Sequence, residues 1–256
     1  MRPVVKSGYI PALGFHWLTP AYDVIVRATM RERTIKVALI EQADIRPGHQ
    51  VLDLACGTGT LAVWIKQRCP EVSVSAIDLD PDILEIAARK ASRAKVSILF
   101  DRGFATRLPY PDAHFDRVVS SLFFHHLTWR DKQHVARELH RVIRPGGELH
   151  VADWGRAGSV LSRGAFLAIQ LLDGFETTSD NIRGRLIDLF EEAGFTDVSE
   201  QKNVATVFGT LALYRAIKSA ASAVALPSLP AHSRGGFVED VQAFGVEHDR
   251  DLRNLV

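Results

Sequence analysis

The chain has few of the features that identify secreted, membrane-spanning or nucleic-acid-binding proteins. Its 256 residues include only two cysteines, Cys56 and Cys69, too few for a disulfide framework or a cysteine-based metal cluster. The formal net charge is +1, and lysine and arginine form no block of the kind that binds nucleic acid. No apolar run reaches the roughly 18 residues that span a membrane, and Pro11, Gly14 and His16 interrupt the N-terminal apolar run, which is therefore a poor signal peptide. We expect a cytoplasmic protein without a nucleic-acid partner or a transmembrane segment, with peripheral membrane contact left open.

The chain does have a regular alternation of strand and helix patterns. Hydrophobic residues make up 46% of it, enough for a full core. Apolar runs predict strands at 50–55, 72–78, 96–100, 116–121, 147–153, 197–204 and 207–217. Helical patterns lie between them at 59–68, 81–92, 131–143 and 185–193, with Asp131 as the predicted N-cap of the third. This alternation predicts an α/β fold, with a parallel sheet that is covered by helices on both faces.

The most specific pattern lies in residues 51–62, where an apolar run meets two closely spaced glycines and a helical pattern. Gly57 and Gly59 have no Cβ, so they allow a tight turn and the close approach of a ligand. With Ala62 they match the glycine pattern of dinucleotide-binding turns, which alone is weak support. Asp53 disfavours a dinucleotide, because a carboxylate at the strand end repels a pyrophosphate. It attracts a cationic ligand, and S-adenosylmethionine carries a sulfonium and an ammonium group.

A second acidic residue supports a ligand that contains a ribose. Asp78 ends the next apolar run and follows Gly59 by about 20 residues, a spacing at which a carboxylate accepts hydrogen bonds from ribose hydroxyls. The alternative is that Asp78 is a loop or capping residue before Pro81.

These two motifs resemble motifs I and II of class I S-adenosylmethionine-dependent methyltransferases, in particular the ubiquinone/menaquinone-biosynthesis-like (type 11) group. Three later segments, 108–127, 141–153 and 189–195, resemble further motifs in the family's order, and the similarity covers roughly residues 45–218. The resemblance implies a Rossmann-like, doubly wound sheet of seven strands, mostly parallel with an antiparallel C-terminal strand. It also implies S-adenosylmethionine as cofactor and in-line methyl transfer to a small, partly apolar acceptor, by a monomer or a homodimer.

The resemblance assigns cofactor contacts by position. The methionyl end is expected near Asp53 and Ser121, the ribose at Asp78, and one face of the adenine at Leu79. The other expected contacts are Tyr22, Ala55, Gly57, Thr58, Gly59, Phe104 and Ala105.

The expected adenine site departs from the family pattern. Family members often have an acidic residue followed by alanine after the third strand, where it binds the adenine amino group. This chain has Phe104 and Ala105 there. We expect Phe104 to stack on the adenine or to lie at its rim, with Asp101 as a substitute acceptor.

Candidate catalytic residues lie where an acceptor would meet the methyl group. His125 follows the fourth strand and is a candidate general base, because histidine titrates near neutral pH. The neighbouring His126 is expected to be a structural histidine packed under the loop. Asp153, at the end of the fifth strand, is a second candidate or a helix cap, and His16 is a third through the aromatic N-terminal segment. We expect no metal site, because adjacent histidines point apart and no carboxylate or cysteine has ligand spacing with them.

The predicted organisation has three parts. They are an N-terminal helical cap at 1–44, the cofactor-binding domain at 45–218 with an insertion at 155–184, and an extension with little fixed structure at 219–256. The insertion is interpreted as a substrate cover, or as an apolar helix that completes the core. Two other functions stay open: a non-catalytic cofactor-binding module, and a nicotinamide-dependent oxidoreductase.

Overall fold

A seven-stranded sheet between two layers of helices forms the fold. The computed structural model describes residues 32–155, 180, 184–206 and 209–220. The helices are α1 (Glu32–Gln42), α2 (Thr60–Arg68), α3 (Pro81–Arg93), α4 (Trp129–Val142) and α5 (Leu186–Glu192), with a 3₁₀ turn at Phe124–His126. The strands are β1 (Gln50–Leu54), β2 (Ser73–Asp78), β3 (Leu99–Arg102), β4 (Phe115–Ser121), β5 (Ile143–Trp154), β6 (Thr196–Thr206) and β7 (Gly209–Ile217).

The strand order confirms the predicted architecture. The sheet runs β3-β2-β1-β4-β5-β7-β6. The pairings from β3 through β5 are parallel, whereas β7 is antiparallel to both of its neighbours. The chain winds outward from β1 to β3, then returns to place β4 on the other side of β1. The carboxyl ends of β1 and β4 therefore form the crevice in which ligands of doubly wound sheets bind.

Each face of the sheet has its own hydrophobic core. Successive residues of β1 alternate between the two: Val51 joins the core under α1, α2 and α3, and Leu52 joins the core under α4 and α5. Both are fully buried. This alternation follows from the two-residue period of a strand, and it explains why the sequence of β1 is apolar on both faces.

The starts of α4 and β3 differ from the predicted ones. Helix α4 begins at Trp129, because Thr128 is its N-cap and accepts a hydrogen bond from the Asp131 amide. Asp131, the predicted cap, instead accepts a hydrogen bond from the Thr128 hydroxyl at 2.8 Å. Strand β3 begins at Leu99 rather than at residue 96, because the turn that closes α3 continues through Lys95, whose φ is +56°.

Much of the chain beyond the sheet lies outside the described residues. Of the predicted N-terminal cap the structure describes 32–44, which contain α1; of the insertion it describes Gly155, Asp180 and Gly184. The extension is described only at 219–220. In the ranges that the structure covers, no helix is long and apolar enough to cross a membrane.

Candidate active site

The two glycines of the turn after β1 have different structural roles. Ala55, Gly57 and Gly59 all have positive φ angles, +54°, +52° and +71°. A Cβ on Gly57 would meet no atom within 4 Å, whereas a Cβ on Gly59 would lie 2.8 Å from the Cβ of Ala87. Gly57 therefore leaves space for a ligand, while Gly59 allows α2 and α3 to pack together. The sequence pattern predicted close ligand approach at both glycines, and the structure supports it at Gly57.

Asp53 lies at the predicted strand end, but it is buried. It is 2% exposed, and its Oδ2 accepts a hydrogen bond from the Ala62 amide at 3.0 Å. This bond satisfies one of the free amides in the first turn of α2. Burial raises the pKa of Asp53 to about 7, against the opposing effects of Lys36 and of the Ala62 bond. The sequence indicated a permanently ionised carboxylate at this position, whereas the buried Asp53 carboxyl group titrates near neutral pH.

Asp78 lies at the carboxyl end of β2, beside the glycine turn. Its Oδ2 accepts a hydrogen bond from the Gly57 amide at 2.9 Å, and its Oδ1 accepts one from the Asp80 amide at 3.1 Å. The capping function belongs to Asp80, whose side chain accepts hydrogen bonds from the Asp82 and Ile83 amides at the start of α3. Asp78 is thus not the helix cap, and its carboxylate faces the turn that Gly57 leaves open. The next residue, Leu79, is half-buried.

Thr58 is connected to α3 through a lysine that the sequence did not single out. The Lys90 ammonium donates hydrogen bonds to the hydroxyls of Thr58 and Thr60, at 2.8 and 2.7 Å. Since these two threonines flank Gly59, Lys90 joins the glycine turn to the neighbouring helix. The Thr58 hydroxyl is therefore engaged within the protein.

The loop after β3 places Phe104 on the surface. Phe104 is 53% exposed and forms an isolated antiparallel bridge with Arg107. Ala105 is half-buried and packs against the core under α4 and α5. Asp101, the expected substitute acceptor, accepts a hydrogen bond from the Tyr110 hydroxyl through Oδ2 at 2.8 Å. An exposed phenyl ring thus occupies the position that is commonly acidic in the family.

Strand β4 delivers Ser121 to the crevice, beside the end of β1. Its neighbour Ser120 donates a hydrogen bond to the Leu54 carbonyl at 3.1 Å, which joins the two strand ends. Leu122 follows with a φ of +59°. Positive φ is uncommon for a bulky residue, and such strain is concentrated at functional sites.

His125 and Asp153 form a buried pair at the ends of β4 and β5. His125 Nδ1 lies 2.9 Å from Asp153 Oδ1, and the two residues are 4% and 0% exposed. Asp153 also accepts hydrogen bonds from the amides of three neighbours, Phe123, Phe124 and Trp154. Burial alone raises the pKa of Asp153, but its interactions with His125, the hydrogen bond from the Trp154 amide and attraction to Lys132 lower it below its usual value. The carboxylate is therefore held as an anion.

The two histidines have exchanged their expected places. His126, predicted to pack under the loop, is exposed, and His125 is buried. Their rings lie 3.9 Å apart between centroids. Both residues lie in a 3₁₀ turn, and the orientation of this turn is set by the hydrogen bonds that Asp153 accepts from its first amides.

Two predicted site residues, His16 and Tyr22, lie outside the described residues. Within the ranges that the structure covers, no three histidine, cysteine or acidic side chains are grouped so that they could hold a metal ion.

Comparisons with known proteins agree with this geometry. A protein-family model described as a methyltransferase domain matches residues 51–147. A demethylmenaquinone methyltransferase of Deinococcus radiodurans is 34% identical over 154 residues, which cover 59% of this chain and 63% of that protein. The methyltransferase GfsG of Streptomyces halstedii is 35% identical over 176 residues, covering 64% and 60%.

The match to a methyltransferase domain over residues 51–147 confirms the predicted resemblance to S-adenosylmethionine-dependent methyltransferases for that part of the chain. The similar proteins include ubiquinone/menaquinone biosynthesis C-methyltransferases, such as that of Cupriavidus necator at 32% identity, which confirms the predicted resemblance to this group. Alignments to these relatives span about three fifths of their length.

Solved structures support the fold of this chain. The YcgJ protein of Bacillus subtilis superposes with a TM-score of 0.62 at 18% identity, covering 73% of this chain and 99% of that one. The phosphoethanolamine N-methyltransferase 2 of Haemonchus contortus, solved with S-adenosylhomocysteine, gives 0.60 at 15% identity, covering 72% and 52%. At these identities the likeness concerns the fold alone.

The residues around the glycine turn fit the family's cofactor, S-adenosylmethionine. The space over Gly57 admits a ligand against the backbone, and the Asp78 carboxylate faces that space. Asp53 and Ser121 lie at the adjoining ends of β1 and β4, which pair in the sheet. The sequence-derived contacts from β1, β2 and β4 therefore converge on one crevice.

Sequence reasoning missed a buried charged group in α4. Lys132 of α4 is 0% exposed, and its Nζ lies 4.0 Å from Asp180 Oδ2. A signal was present, because Lys132 occupies the position three residues before Val135 on the buried face of the helix. A lysine in an apolar stripe is unusual enough to identify a candidate.

Proposed function

We propose that this protein transfers a methyl group from S-adenosylmethionine to a small, partly apolar acceptor. The observation that carries the proposal is the crevice between β1 and β4, where the open Gly57 turn faces the Asp78 carboxylate. The demethylmenaquinone methyltransferases among the relatives make a quinone-like aromatic ring the first acceptor class to test. We further propose a cytoplasmic monomer or homodimer, in keeping with two free cysteines.

The proposed residue roles follow from the geometry. Asp78 would accept hydrogen bonds from the ribose hydroxyls, and the Gly57 backbone would lie against the cofactor. Asp53 would become more fully ionised beside the positive charge of the cofactor, because a nearby cation favours the charged form of a carboxyl group. When bound, the cofactor supplies an electrophilic methyl group on a sulfonium, with a neutral thioether as leaving group.

His125 is the proposed general base. Asp153 Oδ1 is placed to accept a hydrogen bond from Nδ1–H of His125, which leaves Nε2 of the neutral ring with a free lone pair. Nε2 could then take a proton from an acceptor hydroxyl or ring carbon as the new bond to the methyl group forms. The half-buried Phe123 and the ring of Trp154, 6.4 Å from that of His125 between centroids, give the surroundings apolar character.

Calorimetry with S-adenosylhomocysteine tests cofactor binding directly. We expect binding by the unaltered protein and at least about tenfold weaker binding by Asp78→Ala, because hydrogen bonds to a charged group contribute about 1.5–3 kcal/mol each. Asp82→Ala, which removes an exposed acid from the first turn of α3, is the matched control and should bind normally. Stabilisation by NAD in place of S-adenosylhomocysteine would contradict the proposal.

Turnover is tested with a panel of quinone-like and phenolic acceptors, by mass spectrometry of the methylated product. We expect transfer to at least one acceptor and its loss in His125→Ala at unchanged cofactor affinity. If the cofactor binds but no acceptor is methylated across the panel, the protein is a non-catalytic binding module.

A further inference from the structure

The Lys90 ammonium group ties the last turn of α3 to the glycine turn (residues 55–59) and to the start of α2. It donates a hydrogen bond of 2.8 Å to the Thr58 hydroxyl and one of 2.7 Å to the Thr60 hydroxyl. A lysine side chain has three N–H donors and no acceptor, so both hydroxyls accept from it. Hydrogen bonds from a charged donor are roughly twice as strong as those between neutral groups. Lys90 therefore holds the chain on both sides of Gly59.

The glycine turn needs such restraints, because its backbone lies in a sparsely populated conformation. Ala55, Gly57 and Gly59 all have positive φ angles. Gly59 is also the N-cap of α2, and as a glycine it has no side chain to accept hydrogen bonds from the free amides of the first helical turn. A backbone of this kind persists only where the surrounding structure fixes it.

Other restraints on the turn come from β2. The Cys56 amide donates a hydrogen bond to the Ile77 carbonyl at 3.0 Å, and the Gly57 amide donates one to Asp78 Oδ2 at 2.9 Å. Strand β2 ends at Asp78, and α3 begins at Pro81. The turn is thus held by two consecutive elements, with β2 fixing its first half and α3 fixing its second half.

The location of Lys90 has a simpler explanation, which does not account for these bonds. Lys90 and Arg93 lie in the last turn of α3, where the helix dipole favours a cation. The Lys90 ammonium, however, reaches Thr60, the first residue of α2. The dipole of α2 disfavours a cation at that end. The two threonine hydroxyls offset this cost, which indicates that the contact with the turn is the role of the side chain.

We propose that Lys90 is a positioning residue of the cofactor site: by binding Thr58 and Thr60 it keeps the glycine turn in the conformation in which the Gly57 backbone can lie against S-adenosylmethionine. Without Lys90 the turn occupies this conformation for only part of the time. The apparent dissociation constant of the cofactor then rises in inverse proportion to that fraction. The inference rests on the proposed function, in which the cofactor lies over Gly57.

The positive charge of Lys90 has the opposite effect on the cofactor. S-adenosylmethionine carries a sulfonium that S-adenosylhomocysteine lacks, and like charges repel. A role through charge alone therefore predicts that Lys90→Met improves the binding of S-adenosylmethionine relative to that of S-adenosylhomocysteine. A positioning role predicts that both bind more weakly by a similar factor, because both lie against the same turn.

Calorimetry with both ligands separates these roles. We expect Lys90→Met to bind each of them about five- to tenfold more weakly. The double variant Thr58→Val/Thr60→Val removes the two acceptors but keeps the charge of Lys90, and it should show a similar loss. Adding Lys90→Met to this double variant should change the affinity by less than about twofold, since the interaction is already absent.

Hydrogen exchange of the free protein, followed by NMR, measures the turn itself. The amides of Gly57 and Gly59 are both hydrogen-bonded within the protein. In Lys90→Met they should exchange at least about tenfold faster, because the turn opens more often. The amide of Val119, in the fully buried centre of β4, should exchange at its original rate.

Lys66→Met is the matched control. Lys66 also donates two hydrogen bonds, to the carbonyls of Pro70 and Val72, beyond the end of α2 that is opposite the turn. Its replacement removes the same kind of interaction from the same helix. It should leave both affinities and the exchange of the Gly57 and Gly59 amides unchanged.

Unchanged exchange at Gly57 and Gly59 in Lys90→Met overturns the inference, as does unchanged affinity in a variant whose turn exchanges faster. If Lys90→Met does not fold, the threonine double variant decides by the same two measurements. If the unaltered protein binds neither ligand, the proposed function fails and the cofactor role of Lys90 fails with it. Binding by the unaltered protein together with equal binding by Lys90→Met refutes the role of Lys90 alone.

Discussion

Substitution by alanine should have different effects at Gly57 and Gly59, although they are two residues apart and share a left-handed backbone. We expect the larger loss of stability at Gly59 and the larger loss of cofactor affinity at Gly57. An L-residue in this region costs about 1–2 kcal/mol relative to glycine. Gly57→Ala should cost no more than that, because no atom lies within 4 Å of the new Cβ. Gly59→Ala adds a contact at 2.8 Å with the Cβ of Ala87 and one at 3.3 Å with its Cα. Overpacking of this kind costs about 1–3 kcal/mol, so the total for Gly59→Ala is about 2–5 kcal/mol.

Cofactor binding should show the reverse order. The methyl group of Gly57→Ala enters the space left open at the turn, so we expect at least about tenfold weaker binding of S-adenosylhomocysteine, which corresponds to about 1.4 kcal/mol. Gly59→Ala points its methyl group at α3 and should bind with little change as long as it is folded. Urea denaturation gives the stabilities, and calorimetry on the same samples gives the affinities.

A second substitution checks the cause of the Gly59→Ala effect. Replacing Ala87 by glycine removes the nearest atom, the Cβ at 2.8 Å, so the double variant should be more stable than the sum of the two single losses predicts. Equal destabilisation by Gly57→Ala and Gly59→Ala would refute the packing argument. Normal cofactor affinity in Gly57→Ala would refute the assignment of the open space.

Three further predictions concern the crevice. At pH 7 Asp53 is partly protonated, because burial raises its pKa from 3.8 to about 7. Its contribution to the stability of the fold is therefore present below pH 3.8 and lost as the pH rises through about 7. Binding of the cationic cofactor should release a fraction of a proton, which calorimetry detects as a buffer-dependent heat that Asp53→Asn abolishes. The pKa of Asp153 is lowered despite burial, mainly through His125. Its contribution to stability is present above the pKa that it has in the unfolded chain, and is lost as the pH falls through the pKa that it has in the folded protein. Asp153→Asn should therefore flatten the acid side of the pH–stability curve. Phe104→Asp should strengthen binding of S-adenosylhomocysteine several-fold but not that of its inosine analogue, in competition calorimetry, because only adenine has the 6-amino donor; equal weakening of both would identify Phe104 as a stacking residue instead.

The sheet and its cofactor crevice were predictable because their signals are local. An apolar run that ends in Asp53, two glycines and a helical pattern fixes a strand, a turn and a helix within twelve residues. The same local pattern cannot separate Gly57 from Gly59, since the difference depends on Ala87, which is distant in sequence. It also cannot show that Asp53 is buried, because this follows from the packing of α2 over β1.

The acceptor side was harder to predict because it is built from irregular segments. Periodicity indicates which side chains of a helix or strand point inward, but His125 and His126 lie in a single 3₁₀ turn. Their orientation depends on Asp153, 28 residues from His125. Lys132 was overlooked for a different reason: its compensating charges come from β5 and from Asp180, so its burial becomes understandable only once the fold has brought them together.

Two buried aspartates at strand ends, Asp53 of β1 and Asp153 of β5, have pKa values that move in opposite directions. The difference follows from their partners. Asp53 accepts one hydrogen bond, from the Ala62 amide, which does not offset burial. Asp153 interacts with His125, accepts a hydrogen bond from the Trp154 amide and is attracted to Lys132, and these effects together outweigh burial.

This difference divides the crevice into two electrostatic regions. On the cofactor side, the ionised fraction of Asp53 increases when a cation binds. The cost of burying its negative charge is therefore compensated only in the complex. On the acceptor side, the charge of Asp153 is already present in the free protein. This is required if the base is to be oriented before the acceptor arrives. A methyltransferase that binds a charged cofactor and then deprotonates a neutral acceptor needs this order of events. Binding heats that do not depend on the buffer, or a His125 orientation that changes when the cofactor binds, would show that the two regions are not divided in this way.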